Sequence, residues 1–238
     1  MTISGIDESQ RAAAKVAGFV YLFAMATSIF AELYARGQII VPGDVAETAR
    51  NIMAHERLFR LSIACHVITF AADVALITAL YVILGPVNRH LALFAAFSRM
   101  IETSVGVTAA LHGFDALRVL SGAEYLRAFE ADRLQALARL SLSAHGAGLN
   151  VCFVFLGLGS TVFGYLWFKS GYLPKALAAL GVFASLLLAI VAFTLIMFPE
   201  LSKILSRSYM VPMFLFEVTT GFWLLFKGLP RGQREATG

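Results

Sequence analysis

The sequence contains little charge, little cysteine and little proline. Charged residues make up 14% of its 238 residues, against about 25% in an average soluble domain. The basic residues form no run, which argues against nucleic acid as a partner. The two cysteines, Cys65 and Cys152, lie in apolar stretches without a Cys-X-X-Cys pair. Buried thiols that act as small hydrophobic side chains explain them best, and a disulfide between them stays an alternative.

Apolar sequence is abundant instead. Hydrophobic residues make up 59% of the chain, and the mean hydropathy is +0.77. They form long runs, and a helix needs about 20 apolar residues to cross a bilayer. Lipid offers no hydrogen-bond partners, so spanning segments are expected to be helical. The sequence predicts an all-α polytopic membrane protein, a single transmembrane domain over residues 1–238 with six transmembrane helices. The predicted spans are residues 16–33, 61–84, 91–111, 146–168, 176–198 and 209–226.

Two longer connections carry amphipathic patterns. In the first, Asp44 can cap a helix, and Glu47 three residues later can close a capping box. A short helix over Val45–Phe59 is therefore expected at the membrane interface. In the second, between Gly113 and His145, leucines recur at helical spacing among mixed charges. This pattern predicts a second helix that lies on the membrane or caps the bundle.

Six spans place both termini on the same side of the membrane. Most lysines and the short connections fall on that side, which favours the cytoplasm under the positive-inside rule. The total numbers of Lys and Arg on the two sides do not discriminate. Both termini are therefore expected in the cytoplasm.

Apart from Glu32 at the end of the first span, four charged residues fall in the interior of the predicted spans, where a charge costs about 2.5–3.5 kcal/mol on insertion scales. They are Asp73, Arg99, Glu102 and Glu217. Counted from the cytoplasmic end of each helix, all four lie near the middle of the bilayer. We expect Asp73 and Glu217 to approach Arg99 from neighbouring helices. Three acids and one arginine leave an excess of negative charge, so either one carboxyl carries a proton or a cation joins them.

A second polar group lies nearer the opposite, outer face. The residues Ser62, His66 and Thr69 form a stripe with Asp73 along one helix face. Together these side chains predict a polar cavity that opens outward above the charges. Its expected lining is Tyr21, Glu32, Ser62, His66, His112, His145 and Asn150.

The histidines permit two interpretations. Hydrogen bonding near the interface is the simpler one. The other is a divalent metal site formed by His66, His112, His145 and Glu32, which are suitable ligand types for zinc. No His-X-X-X-His or His-Glu-X-X-His spacing supports it. No other cofactor is expected.

Several stretches resemble one known family. They include LYVILGPVNR at residues 80–89, KSGYLP at residues 169–174 and WLLFKG at residues 223–228. Further similar stretches are residues 16–22, 42–44, 58–60 and 97–99, together with Glu217. This pattern resembles the bacterial membrane family called domain of unknown function 4386. The resemblance implies a multi-pass protein of the bacterial cytoplasmic (inner) membrane, and it implies no assigned activity or catalytic residue.

Three functions fit these observations. The leading hypothesis is binding or transport of a small molecule or ion, in a proton-coupled form, at the Asp73, Arg99, Glu102 and Glu217 cluster. The second is an intramembrane metal-dependent enzyme that acts on a lipid-like substrate. The third is a non-catalytic sensor or partner protein with a structural ion network. The expected partners are the bilayer and a small molecule, ion or lipid in the bundle. A homo-oligomer is left open, and the balance lies against an enzyme.

Overall fold

The structure is a computed structural model that describes residues 6–203, 205 and 207–230. In this part of the chain the regular secondary structure is entirely helical, and six helices are long and apolar enough to cross a membrane. The prediction of an all-α protein with six transmembrane helices is therefore confirmed. The predicted single domain, residues 1–238, extends beyond the described residues, and it stays a prediction.

In the described part, the chain forms seven α-helices of ten residues or more. Helix α1 is Glu8–Ile39 and contains a π-helical turn at Phe30–Ala35. The next helices are α2 (Val45–Ala54), α3 (Glu56–Leu84), α4 (Arg89–Leu120), α5 (Ala131–Ser170) and α6 (Lys175–Met197). Helix α7 is Val211–Phe222 and continues as a π-helical turn at Trp223–Lys227. All except α2 are candidate membrane spans.

Specific residues set the ends of these helices. Asp7 begins α1 with a reciprocal capping box to Gln10. Asn88 begins α4 by accepting the Leu91 N–H at 3.0 Å. Gly171 ends α5 in the left-handed conformation, with φ of +68°. Pro199 follows the end of α6, because proline cannot continue a helix.

The six spanning helices form a closed ring. Each packs on the next along the chain, and α7 returns to pack on α1. At one end, the buried Gln10 side chain donates to the Ile83 carbonyl at 3.0 Å, which ties the start of α1 to the end of α3. This end, which also holds the α3–α4 and α5–α6 turns, is the terminal face. The opposite end, which holds the α4–α5 connection, is the hairpin face.

Helices α4 and α5 extend far past the predicted spans. At 1.5 Å per residue, α5 is about 60 Å long, whereas the hydrocarbon core of a bilayer is about 30 Å thick. The prediction of a separate surface helix between Gly113 and His145 is wrong, because these residues continue α4 to Leu120 and begin α5 at Ala131. No proline interrupts either helix, and glycine in a helix costs only about 1 kcal/mol. Hydropathy therefore predicts which residues face lipid, but it does not predict the residue at which a helix ends.

The first connecting helix is confirmed but is shorter than predicted. Helix α2 ends at Ala54, and a break at His55 separates it from α3, so the range Val45–Phe59 is two helices. Asp44 caps α2 as expected and accepts the Glu47 N–H at 2.8 Å. The Glu47 side chain pairs with Arg50. Ile52 packs the helix against the α4–α5 extension.

Buried apolar residues form two separate clusters along the ring. The larger cluster lies toward the terminal face and includes Leu84, Trp167 and Leu224. The smaller cluster lies toward the hairpin face and includes Ile52 and Leu142. Most buried polar residues, among them Thr69, Arg99 and His145, occupy the depth between them, so the ring contains a polar zone with apolar packing at both ends.

Candidate functional site

Arg99 forms the centre of the polar zone. One arm of its guanidinium, Nη2, lies 3.5 Å from Oδ1 of Asp73 on α3. The other arm, Nη1, lies 3.5 Å from Oε2 of Glu102, one turn along α4. All three side chains are buried. These distances exceed those of normal hydrogen bonds, so the contacts are ion pairs, and Nη1 has no hydrogen-bond partner among the described residues.

Residues of α4 and α5 complete the surroundings of Glu102 and Arg99. The Cys152 thiol donates to Oε1 of Glu102 at 3.6 Å. The Thr103 hydroxyl donates to Oε2 at 3.4 Å. A side chain at Gly159 would place its Cβ 2.8 Å from Cγ of Arg99, so this glycine makes room for the arginine. Both cysteines are free thiols, and Cys152 belongs to the polar zone.

Glu217 approaches the same centre from α7 without touching it. It lies within electrostatic range of Arg99, Asp73 and Glu102. It is half-buried and makes no direct ion pair with any residue that the structure describes. Tyr21 on α1 faces the same group of charges. We call this group the charge layer; its members are Tyr21, Asp73, Arg99, Glu102 and Glu217. Tyr21 was predicted to line the outer cavity, and it lies beside the charges instead.

A second cluster lies nearer the hairpin face and depends on the π-helical turn of α1. In this turn, Phe30–Ala35, each hydrogen bond spans one residue more than in an α-helix, which shifts the helix register at Glu32. Glu32 thereby faces His66 on α3 and His145 on α5. Such single π turns occur often at functional sites. Glu32, His66 and His145 are called the Glu–His triad.

The triad is compact. Oε1 of Glu32 lies 3.1 Å from Nε2 of His66 and 3.5 Å from Nε2 of His145. The ligand atoms of all three residues lie within 4.8 Å of one another. Nδ1 of His145 lies 2.8 Å from the Ala109 carbonyl, and a carbonyl can only accept, so Nδ1 carries the proton. Both histidines are buried.

The polar surroundings of the triad include one cation. Nε of Arg36 lies 3.2 Å from the same oxygen of Glu32, and its guanidinium lies 5.8 Å from the centre of the Phe59 ring. Toward the charge layer, the hydroxyls of Thr27 and Thr69 are 2.6 Å apart. His66 and Asp73 are seven residues apart on α3, which corresponds to about 10 Å along the helix axis. The triad and the charge layer are therefore neighbouring but separate clusters.

Three predicted cavity residues do not join the triad. His112 lies 3.3 Å from Oδ2 of Asp115 on the same helix, and about a third of its side chain is exposed. Ser62 is buried, but its hydroxyl donates to the Phe59 carbonyl. Asn150 makes no hydrogen bond with the described residues. The predicted four-ligand set therefore reduces to Glu32, His66 and His145 in this structure.

Sequence reasoning missed four contributors: Thr27, Arg36, Thr103 and Cys152. Arg36 had a usable signal, because it lies one helical turn from Glu32. Cys152 had none, because a thiol in an apolar run is indistinguishable from a packing residue until its neighbour is known.

Comparison with known proteins agrees with the sequence resemblance. Residues 16–228 match the family model described as domain of unknown function DUF4386. One relative, an uncharacterized protein of Archaeoglobus fulgidus, is 26% identical over 158 residues, which cover 66% of this chain and 76% of the relative. No solved structure matches the chain.

Proposed function

This chain belongs to the DUF4386 family of multi-pass membrane proteins, and we propose that it binds or transports a small ion at the charge layer. The observation that carries the proposal is three carboxylates and one guanidinium from α3, α4 and α7 around one buried centre. Ionisable groups at lipid depth mark ion pathways and proton relays in membrane proteins. The exchanged ion in this proposal is a proton.

Glu217 is the proton-binding group of the charge layer. Arg99 already contacts Asp73 and Glu102, one with each arm of the guanidinium. Glu217 has no such contact, and a charge without a partner at lipid depth is costly. A proton removes that cost. The groups that face Glu217 are Tyr21 from α1 and the three charges of the centre, while α6 has no titratable residue beyond Lys175.

Glu217 is expected to react with dicyclohexylcarbodiimide, which enters from lipid and needs a protonated carboxyl. The acid adds across one C=N bond: the carboxyl oxygen bonds to carbon, the proton moves to nitrogen, and rearrangement gives a stable N-acylurea. Intact-mass spectra should show a gain of one whole carbodiimide, which fragmentation assigns to Glu217. Labelling should fall as pH is raised, because deprotonation removes the reactive form.

Two variants give the labelling experiment its controls. Glu217→Gln should abolish the mass gain, since an amide does not add to the reagent. Glu124→Gln, which alters an exposed carboxyl in the α4–α5 connection, should label like the unmodified protein. Full labelling of Glu217→Gln, or none in the native protein at any pH, would contradict a proton-binding Glu217.

Transport is tested separately, in liposomes loaded with a pH-sensitive dye. A potassium diffusion potential should drive proton uptake into vesicles that contain the native protein. Asp73→Asn and Glu217→Gln should reduce uptake to the rate of empty liposomes, because each removes a carboxylate of the proposed path. Uptake equal to native in both variants would rule out the charge layer as the path.

The enzyme hypothesis has one observation in its favour, the Glu–His triad. Because Glu32 would be a metal ligand in that triad, Asp73 is left as the candidate general base among the residues considered. Such a base must reach its proton directly or through one water. Asp73 lies about 10 Å from His66 along α3. Ion binding or transport therefore has more support. The proposal also places the protein in the cytoplasmic membrane with the terminal face inward, which is supported by Lys169, Lys175 and Lys227 at that face.

A further inference from the structure

We infer that Glu32, His66 and His145 bind one divalent transition-metal ion, of which Zn²⁺ is the best match. Two imidazole nitrogens and one carboxylate oxygen are a ligand set that zinc accepts, with a fourth position for water or another ligand. This site lies nearer the hairpin face than the charge layer, and it does not depend on the function proposed for those charges.

Two of the three distances between the donor atoms fit tetrahedral coordination. With metal–ligand bonds of about 2.0–2.1 Å, two ligands of one tetrahedral zinc lie about 3.3–3.4 Å apart. The two distances from Oε1 of Glu32, to His66 and His145, are 3.1 and 3.5 Å and lie on either side of this value. Three helices that are far apart in sequence supply these atoms.

Hydrogen bonds do not account for the arrangement. Nε2 of His145 is a buried atom without a hydrogen-bond partner among the described residues, and it lies 3.5 Å from Oε1 of Glu32. That oxygen has ion-pair contacts with Arg36 and His66, but no contact with the geometry of a hydrogen bond among the described residues. A buried polar atom normally has a partner, because leaving it unpaired costs about 1–3 kcal/mol. His145 is only 3% exposed, so bulk water does not satisfy it. A shared metal ion satisfies both atoms at once.

The second contact of His145 prepares it as a ligand. Its Nδ1–H donates to the Ala109 carbonyl at 2.8 Å, which leaves the lone pair of neutral imidazole on Nε2. Metal-binding histidines usually have this outer partner, which sets the tautomer and the ring orientation. Nε2 of His145 lies 3.5 Å from Oε1 of Glu32, the oxygen that His66 also contacts. The hydrogen bond to Ala109 and the position of Nε2 therefore both favour His145 as a metal ligand.

Access also permits an ion. The Glu32 side chain is 29% exposed, whereas the two histidines are buried, so the carboxylate is the open side of the site. Arg36 contacts the same carboxylate oxygen and restrains it. Glu32 offsets only part of a divalent charge, and the guanidinium of Arg36 adds positive charge beside it. The fourth ligand is therefore expected to be water or an anionic group.

The test is metal content and Co²⁺ binding by the full-length protein in detergent. The protein is stripped with a chelator, reloaded with Zn²⁺ or Co²⁺, desalted and measured by elemental mass spectrometry. We expect one ion per chain, intense visible absorption of tetrahedral Co²⁺, and a higher melting temperature with Zn²⁺. These measurements need no variant, so they decide the question even where a substitution prevents folding.

Variants then assign the ligands. His66→Ala and His145→Ala should each weaken Zn²⁺ affinity by more than the about 10–100-fold that loss of an outer-shell partner causes. His112→Ala is the matched control, because this histidine is paired with Asp115 away from the triad. Native protein without stoichiometric metal, native affinity in His145→Ala, or an equal loss in His112→Ala would each overturn the site.

Discussion

Replacing Arg99 by leucine is expected to lower the free energy of unfolding by about 3–5 kcal/mol, the usual cost of removing one partner of a buried ion pair. Arg99 is 4% exposed and contacts Asp73 and Glu102, which are also buried. Leucine keeps apolar carbon atoms at the Cγ and Cδ positions, which are the atoms of Arg99 that pack beside Gly159. The loss is therefore one of charge compensation for two carboxylates.

The measurement is thermal and SDS-induced unfolding of purified protein in detergent. Arg118→Ala serves as the matched control, since this arginine on the same helix is 74% exposed and its contact with Asp115 is 3.9 Å. It should change stability by less than about 0.5 kcal/mol. The stability of Arg99→Lys should lie between those of the native protein and Arg99→Leu. Its single ammonium group keeps the charge but cannot contact both carboxylates as the guanidinium does.

A rescue variant separates charge from packing. The triple variant Arg99→Leu, Asp73→Asn, Glu102→Gln removes both uncompensated charges, so most of the lost stability should return. Coupling of this kind is expected for residues in direct contact. If the triple variant is no more stable than Arg99→Leu alone, the arginine acts through packing on α5 and not through charge.

The charge layer was predictable because two simple constraints apply at once. Charges are expensive in lipid, so Asp73, Arg99 and Glu102 stand out within apolar runs. A helix rises by a constant distance per residue, so counting from a helix end gives depth. Depth alone did not predict which residues touch. Glu217 lies near Arg99 and interacts with it electrostatically, but it makes no direct ion pair with a described residue.

The triad was only partly predictable, because its geometry depends on helix irregularity. Glu32, His66 and His145 were candidates by residue type, but His112 was an equal candidate in the sequence. The π-helical turn at Phe30–Ala35 leaves no recognisable sequence signal, yet it sets the direction of Glu32. His145 was predicted at the start of a span, whereas it lies well inside the continuous helix α5.

The helical extensions explain why the triad is enclosed. A ring whose helices ended at the predicted limits would expose His145 at the membrane surface. Helices α4 and α5 continue past it, and α2 packs Ile52 against their extension beside Leu142. The apolar cluster thus formed lies beyond the triad toward the hairpin face, so the triad is protected from bulk water except beside Glu32.

Ring closure between the first and last spanning helices depends on Gly18, and Gly18→Leu is expected to destabilise the protein by about 3 kcal/mol, the upper part of the range for overpacking. A Cβ there would lie 2.7 Å from the Leu225 nitrogen and 2.8 Å from the Gly221 oxygen, which are backbone atoms that no rotamer change can move. Close helix contact at small residues is a main source of association in lipid.

The Gly18 experiment has a control on the same helix. A Cβ at Gly37 would meet only the Glu32 carbonyl oxygen, at 3.9 Å, so Gly37→Leu should be neutral or stabilising, because leucine favours a helix over glycine. Both variants are unfolded with SDS, and a cysteine pair across α1 and α7 reports whether the two helices still meet. Cross-linking should fall in Gly18→Leu alone. Equal stability of the two variants would mean that the contact between α1 and α7 does not hold the ring closed, and that neighbouring helices suffice.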